Sequence, residues 1–169
     1  MKIANIPSPY GNAHNNPKKI VWHAISEIID DHGTFYYALD YLTHLGISAH
    51  RFVTPSGVII KCREDYQGAY HAKGHNKNSL GVEVMVPGCN PYPDFLKVMR
   101  KPYMTHIQKV ATYELLQFWC REHGLTRSDI YRHSDLSPDR KMDPGAGVTW
   151  KQLEEAYRRE HETRQGEIL

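Results

Sequence analysis

Fourteen residues, RHSDLSPDRKMDPG from Arg132 to Gly145, hold a histidine, three aspartates, a lysine and two prolines with almost nothing apolar to bury. Their chemistry-bearing members are His133, Lys141 and Asp143. Two further polar side chains interrupt apolar runs, His23 in VWHAIS and Glu83 in SLGVEV. An imidazole or carboxylate in such a run costs free energy unless it is hydrogen-bonded, paired or bound to a metal. Two neutral imidazoles and one carboxylate, with water in the fourth position, make the open tetrahedral site of a catalytic zinc. His23, His133 and Asp143 can supply that set. Glu83 is then the carboxylate available to take the water's proton, and Lys141 the cation to face a developing oxyanion. Taken singly, each residue has a plainer reading: His23 as a satisfied core histidine, Glu83 as the solvent side of a one-sided sheet, the fourteen-residue passage as a solvated loop. Spacing does not decide between them, because His133 and Asp143 fit no helical metal motif such as HExxH.

The elements that must position these residues are legible from periodicity. The run from Ile20 to Ile25 predicts a short buried strand, the first of the chain. In TFYYALDYLTHLG, Phe35, Ala38, Leu39, Leu42 and Leu45 recur at helical spacing and Gly46 supplies a stop. AHRFVTPSGVIIKC predicts two strands joined by a turn at Pro55-Ser56-Gly57, and the polar stretch from Arg63 to Asn78 a loop. SLGVEVMV alternates, with Leu80, Val82, Val84 and Val86 on one face and Gly81, Glu83 and Met85 on the other. PGCNPYPDF breaks regular structure before a short turn around Leu96 to Met99. Thr105 and Gln108 have capping-box spacing ahead of a long helix whose buried stripe is Ile107, Val110, Ala111, Leu115, Phe118 and Trp119, ending at Gly124. Thr149 and Gln152 repeat that signature before a last helix with Trp150, Leu153 and Tyr157 inward. The fold class is α/β (α+β): one domain over residues 1–169, with a central mixed β-sheet flanked by helices and the metal site in a surface cleft.

VWHAIS, AYHAKGHNKNSLGVEV and YRHSDLSPDRKMDPG, in that order, resemble the zinc-dependent N-acetylmuramoyl-L-alanine amidases, the family of phage amidase lysozymes, cell-wall-recycling amidases and peptidoglycan recognition proteins. The resemblance runs from about Ile20 to Trp150. It implies a Zn2+ cofactor held by His23, His133 and Asp143, with Lys141 as the oxyanion-stabilising cation and Glu83 as the general base. His50, His71 and Asn78 become candidate substrate contacts, and Tyr70 and Trp22 candidates for stacking on sugar or lining the cleft. Some phage members carry a catalytic tyrosine where this chain has Ala49, a departure that favours the glutamate. The implied reaction is hydrolysis of the amide joining N-acetylmuramic acid to L-alanine of the stem peptide. A phage-type lytic enzyme (endolysin) is the first expectation, because the proline-rich stretch from Pro87 to Pro102 departs from the compact recycling pattern. The alternatives are a cytoplasmic amidase recycling anhydro-muropeptides and a non-catalytic peptidoglycan-binding module.

Composition narrows the classes further. The 169 residues are 40% hydrophobic and 24% charged, and no apolar run approaches the roughly 18 residues of a membrane helix. A net charge of +2 from 21 basic and 19 acidic residues gives no basic footprint for nucleic acid. Cys62, Cys89 and Cys120 are odd in number and lack CxxC spacing, which points to free, mostly buried thiols. The opening MKIANIPSPYGNAHNN has prolines and polar residues where a signal peptide needs an apolar core, so synthesis in a cytoplasm without a signal peptide is expected. Action would follow release through a pore if the protein is lytic, or take place in the cytoplasm if it recycles. A monomer with a peptidoglycan or muropeptide substrate, no nucleic acid and no stable membrane insertion completes the expectation.

Overall fold

The alternation of SLGVEVMV becomes the centre of a mixed sheet in the computed structural model, which describes residues 1–29 and 32–166. The elements in chain order are β1 (Lys2–Asn5), β2 (Lys19–Ile29), β3 (Phe35–Tyr36), α1 (Ala38–His44), β4 (Arg51–Val53), β5 (Val58–Lys61), β6 (Ser79–Cys89), α2 (Tyr92–Met99), α3 (His106–His123), β7 (Ile130–Arg132), α4 (His133–Leu136) and α5 (Trp150–Gly166). The strands run β1-β5-β4-β6-β2-β3, and β7 also pairs with β2. β2 is parallel to β6 and to β7, whereas β4 and β5 form the antiparallel hairpin expected around Gly57.

Period-two alternation divides the two central strands between different surroundings. Ile20 and Trp22 of β2 join Leu80, Val82 and Val84 of β6 in the main core, against Ala111, Leu115, Leu116 and Trp119 of α3 and Leu153 of α5. On the opposite face Ile25 and Phe52 pack under α1 through Ala38 and Leu42, with Ala49 and Cys62. His23 and Glu83 belong to this second face. Both are buried, as a sheet covered on both sides requires.

Several boundaries differ from the sequence reading, each for a local reason. Lys2–Asn5 forms an edge strand parallel to β5, so the run beginning near Ile20 is the second strand. It lacks a buried stripe, with Ile3 exposed. Phe35 and Tyr36 pair antiparallel with Ile29 and Ile28 instead of starting the helix, and both Phe35 and Leu45 are exposed. β6 continues through Pro87 and Gly88 past a bulge in its pairing with β2, and α2 extends the expected turn to eight residues. In α3, Thr105 accepts from the Gln108 backbone N–H as a cap, but the Gln108 side chain does not return to the cap. It is buried and donates to the carbonyls of Val53 and Met85, so a polar residue occupies the apolar face where Ile107 was expected, and Ile107 is exposed. Thr149 and Gln152 complete their reciprocal box. The cysteines are free, but Cys89 is exposed.

His50 has a structural place in this frame. It is fully buried; its Nδ1 accepts from the Gly81 N–H at 2.9 Å and its Nε2 donates to the Gln67 carbonyl at 2.8 Å. A proton added at Nδ1 would break the bond to β6, and burial lowers its pKa from 6.5 to about 4. Between those two values the unfolded chain binds more protons than the folded one, so stability rises with pH. The His50 contribution is whole above pH 6.5 and is lost as pH falls towards 4, a difference of about 3 kcal/mol. Urea midpoints should therefore drop across that interval, and His50→Gln, although less stable at pH 7, should show a shallower drop; an equally steep drop would count against this origin.

Candidate metal centre

Strand pairing assembles the site. His23 lies opposite Glu83 in the β2–β6 register, so the two side chains are neighbours on one face. On the other side of β2, Trp22 pairs with Arg132 at the end of β7, which delivers His133 beside His23. The chain then turns through α4, with Asp135 accepting from the Arg132 N–H at 2.9 Å. It returns so that the Ser134 N–H donates to the Asp143 carbonyl at 3.0 Å. The Arg132 guanidinium donates to the Val148 carbonyl at 2.6 Å, and the Tyr103 hydroxyl to the Pro144 carbonyl at 3.0 Å, pinning the segment beyond Asp143. At Gly145, φ is 85° and a Cβ would stand 2.3 Å from the Met99 carbonyl oxygen, so this packing requires glycine.

Three ligand atoms meet in a triangle with edges of about 3 Å. His23 Nδ1 is 2.9 Å from His133 Nδ1 and 3.1 Å from Asp143 Oδ2, and His133 Nδ1 is 3.0 Å from the same oxygen. His23 and His133 are 2% and 3% exposed, and Asp143 9%. Asp143 Oδ2 can accept from both rings, but the 2.9 Å His23–His133 edge then sets two N–H groups against each other; a cation at the centre satisfies all three atoms together. Four ligands at zinc distances stand about 3.4 Å apart, so these atoms need to spread by only a few tenths of an ångström. The donor set therefore fits zinc. This is also the group of histidine and acidic side chains whose ligand atoms converge closely enough to hold an ion among the described residues.

The electrostatics suit that arrangement. Burial lowers the His23 pKa, with the charges of His133 and Lys141 acting the same way against the Asp143 carboxylate. Burial alone would raise Asp143, but hydrogen bonds with His133 and His23 outweigh it and hold the carboxyl well below its usual range. Neutral imidazoles and an ionised carboxylate are the states that bind metal. Glu83 is 7% exposed, and its Oε2 has no hydrogen-bond partner among the described residues. Burial, followed by the charge of Asp143, raises its pKa well above the carboxylate range, with Lys141 opposing.

Around the triangle lies a cleft of about 480 Å³ lined by His23, Glu83, His133, Lys141 and Asp143. One wall comes from Tyr41, Leu45, Ile47 and Tyr70, and another from Tyr92, Phe95 and Leu96 of α2. The five residues singled out for chemistry are thus brought together. The candidate substrate contacts separate. His71 reaches the cleft from behind His23, with its Nδ1 3.0 Å from His23 Nε2. His50 does not line the cleft, because both its nitrogens are committed to backbone. Asn78 is also outside the lining and closes a turn, its N–H donating to the His75 carbonyl. Tyr70 lines the cleft and Trp22 is core, 3% exposed. Ala49 is fully buried beside Phe52, so the cleft receives no tyrosine from that position. Sequence reading missed Ser79, Arg132 and Tyr103, whose roles depend on carbonyls remote in the chain, and it missed the apolar α2 wall because the prolines masked the helix.

The comparisons with known proteins agree with this geometry. No curated protein sequence matches the chain. Among solved structures, N-acetylmuramoyl-L-alanine amidase LysC from Clostridium intestinale superposes with a TM-score of 0.66 at 18% identity, over 92% of this chain and 96% of that one. The Ph2119 endolysin from the Thermus scotoductus bacteriophage gives 0.67 at 16% identity, over 92% and 99%. AmiD from E. coli, in complex with the substrate anhydro-N-acetylmuramic acid-L-Ala-D-gamma-Glu-L-Lys, gives 0.64 at 22% identity, over 85% and 58%. These likenesses are of fold. Residues 13–146, which contain His23, Glu83, His133, Lys141 and Asp143, match the family model described as N-acetylmuramoyl-L-alanine amidase. A match over most of the length, on a fold that gathers these residues in one cleft, establishes that the chain belongs to the N-acetylmuramoyl-L-alanine amidase family and is a peptidoglycan amidase.

Proposed function

We propose that this chain is a zinc-dependent lytic enzyme of the phage type, hydrolysing the amide between N-acetylmuramic acid and L-alanine of the stem peptide. The observation that carries the metal assignment is the buried triangle of His23 Nδ1, His133 Nδ1 and Asp143 Oδ2. Zinc held there supplies Lewis acidity, polarising a carbonyl and making water nucleophilic near neutral pH. The protein's own residues do the rest. Glu83, beside His23 on the same face, accepts the water's proton and then delivers it to the nitrogen of the leaving L-alanine amine. Its partnerless Oε2 leaves that carboxyl free to do both. Lys141, lining the cleft two residues before Asp143, sets its ammonium against the oxyanion of the tetrahedral intermediate. The apolar walls restrict water around the scissile bond and give the sugar or peptide flat surfaces to lie on.

The lytic assignment is supported by the likeness to Ph2119, an endolysin almost wholly covered by this chain, and by the α2 segment within the proline-rich stretch that walls the cleft. Recycling of anhydro-muropeptides is the second reading. AmiD, of the same fold, is solved with an anhydro-muropeptide substrate. No helix among the described residues is long and apolar enough to cross a membrane.

Replacing Glu83 by Gln should leave zinc content unchanged and lower turnover on the order of 10²- to 10⁴-fold; near-native turnover would remove Glu83 from the role of base. Lys141→Met should also retain zinc while turnover falls about 10²- to 10³-fold, whereas His133→Ala and Asp143→Ala should abolish stoichiometric zinc as measured by elemental analysis. Mass spectrometry of products from intact sacculi and from anhydro-muropeptides, run side by side, separates the two biological readings. Free L-alanine amino termini released from sacculi support the lytic assignment, and release confined to anhydro-muropeptides supports recycling.

A further inference from the structure

His23 presents Nδ1 to the triangle and Nε2 to His71, whose Nδ1 stands 3.0 Å away. Behind it, His71 Nε2 is 3.1 Å from Ser79 Oγ, and that hydroxyl is 2.8 Å from the His75 carbonyl. The direction of the Ser79 and His71 protons follows from the last member of this row. A carbonyl oxygen only accepts, so the single Ser79 proton points to His75. Ser79 Oγ therefore accepts from His71, which places the one proton of neutral His71 on Nε2 and leaves Nδ1 as a bare lone pair. That lone pair is an acceptor for a proton on His23 Nε2, in competition with Asp143 Oδ2, which stands 3.1 Å from His23 Nδ1. With its one proton given to His71, His23 turns an unprotonated Nδ1 to His133 and Asp143, the state that binds a metal.

The row is rigidly mounted. Ser79 is fully buried at the start of β6. The His71 ring lies against Gly81, where a Cβ would come within 2.6 Å of its Cγ and Nδ1. His50, whose Nδ1 holds the Gly81 N–H, closes the far side with an edge-on contact at 5.7 Å between centroids. The adjacent backbone is held too, since the His71 and Ala72 N–H groups both donate to Asn76 Oδ1. His133 has no corresponding support: its Nε2 is buried without a hydrogen-bond partner among the described residues.

We propose that Ser79 and His71 form a positioning relay that fixes His23 in its Nε2–H tautomer and aims the Nδ1 lone pair at the metal. His71 is thereby a positioning residue for the metal ligand. The proposal rests on the zinc reading of the triangle, but the relay is set by hydrogen bonds present without the ion. Groups that orient a metal-ligating histidine from behind typically contribute 10- to 100-fold in metal affinity.

Two measurements test it, neither using amidase turnover. In the metal-free full-length protein labelled with ¹⁵N-histidine, long-range correlation spectra should show neutral His23 protonated on Nε2; an Nδ1-protonated His23 overturns the relay. Zinc affinity, read by competition with a chromophoric chelator, should fall about 10- to 100-fold in His71→Phe and by a smaller factor in Ser79→Ala. His71→Gln should recover much of the loss, because its amide can accept from His23 and donate to Ser79. Gly81→Ala, which touches no ligand, should weaken zinc binding by displacing the His71 ring. Native affinity in both His71→Phe and Ser79→Ala overturns the proposal, as does a His71→Gln variant no better than His71→Phe. Native protein that takes up no zinc would overturn the metal reading instead, and the His23 tautomer would still report on the relay.

Discussion

Three potential ligand atoms, buried and within about 3 Å of one another, are the constraint around which this fold is organised. Left to themselves, His23, His133 and Asp143 would repel or be forced to share protons, and burial denies them water. The arrangement persists because its supports lie elsewhere. The β2–β7 pairing fixes His133, the Ser134–Asp143 backbone bond closes the return, and Arg132 and Tyr103 hold the chain beyond Asp143. The apolar core on the other face of the sheet supplies the stability that a metal-free polar cluster does not.

The same logic extends outward from the triangle along β6. Ser79, Gly81 and Glu83 occupy alternate positions on one face of that strand, and each serves the cleft differently. Ser79 orders protons, Gly81 leaves room for the His71 ring, and Glu83 projects an unpartnered carboxyl beside His23. The opposite positions, Leu80, Val82 and Val84, are core. One strand thus divides its residues between holding the molecule together and preparing its chemistry, and a register slip of one residue would exchange the two sets.

Much of this was legible in the chain. Alternation in SLGVEVMV correctly separated Leu80, Val82 and Val84 from Glu83, and the caps at Thr105 and Thr149 located both long helices. Shared motifs in the right order indicated the family that the match over residues 13–146 establishes. Reading failed where a residue's surroundings contradict its type. Gln108 is buried because it satisfies two strand carbonyls, Ile107 is exposed beside it, and His50 is a backbone clamp although its motif suggested substrate. The lead strand Lys2–Asn5 gave no signal because it lacks a buried stripe, with Ile3 exposed.

By itself, the sequence determined which residues were available for chemistry and which local elements would carry them. Residue type dictates protonation chemistry, and near-neighbour periodicity dictates helix and strand. Only the tertiary structure decided which polar side chains share a site. His23 is 110 positions from His133, and no local rule relates them until β2 and β7 pair. It also decided the direction of hydrogen bonding behind the ligands, because the acceptor that orders the row is a backbone carbonyl at His75, and every residue has a carbonyl. Contacts of that kind carry no signature in residue type; they exist only once the chain has folded around them.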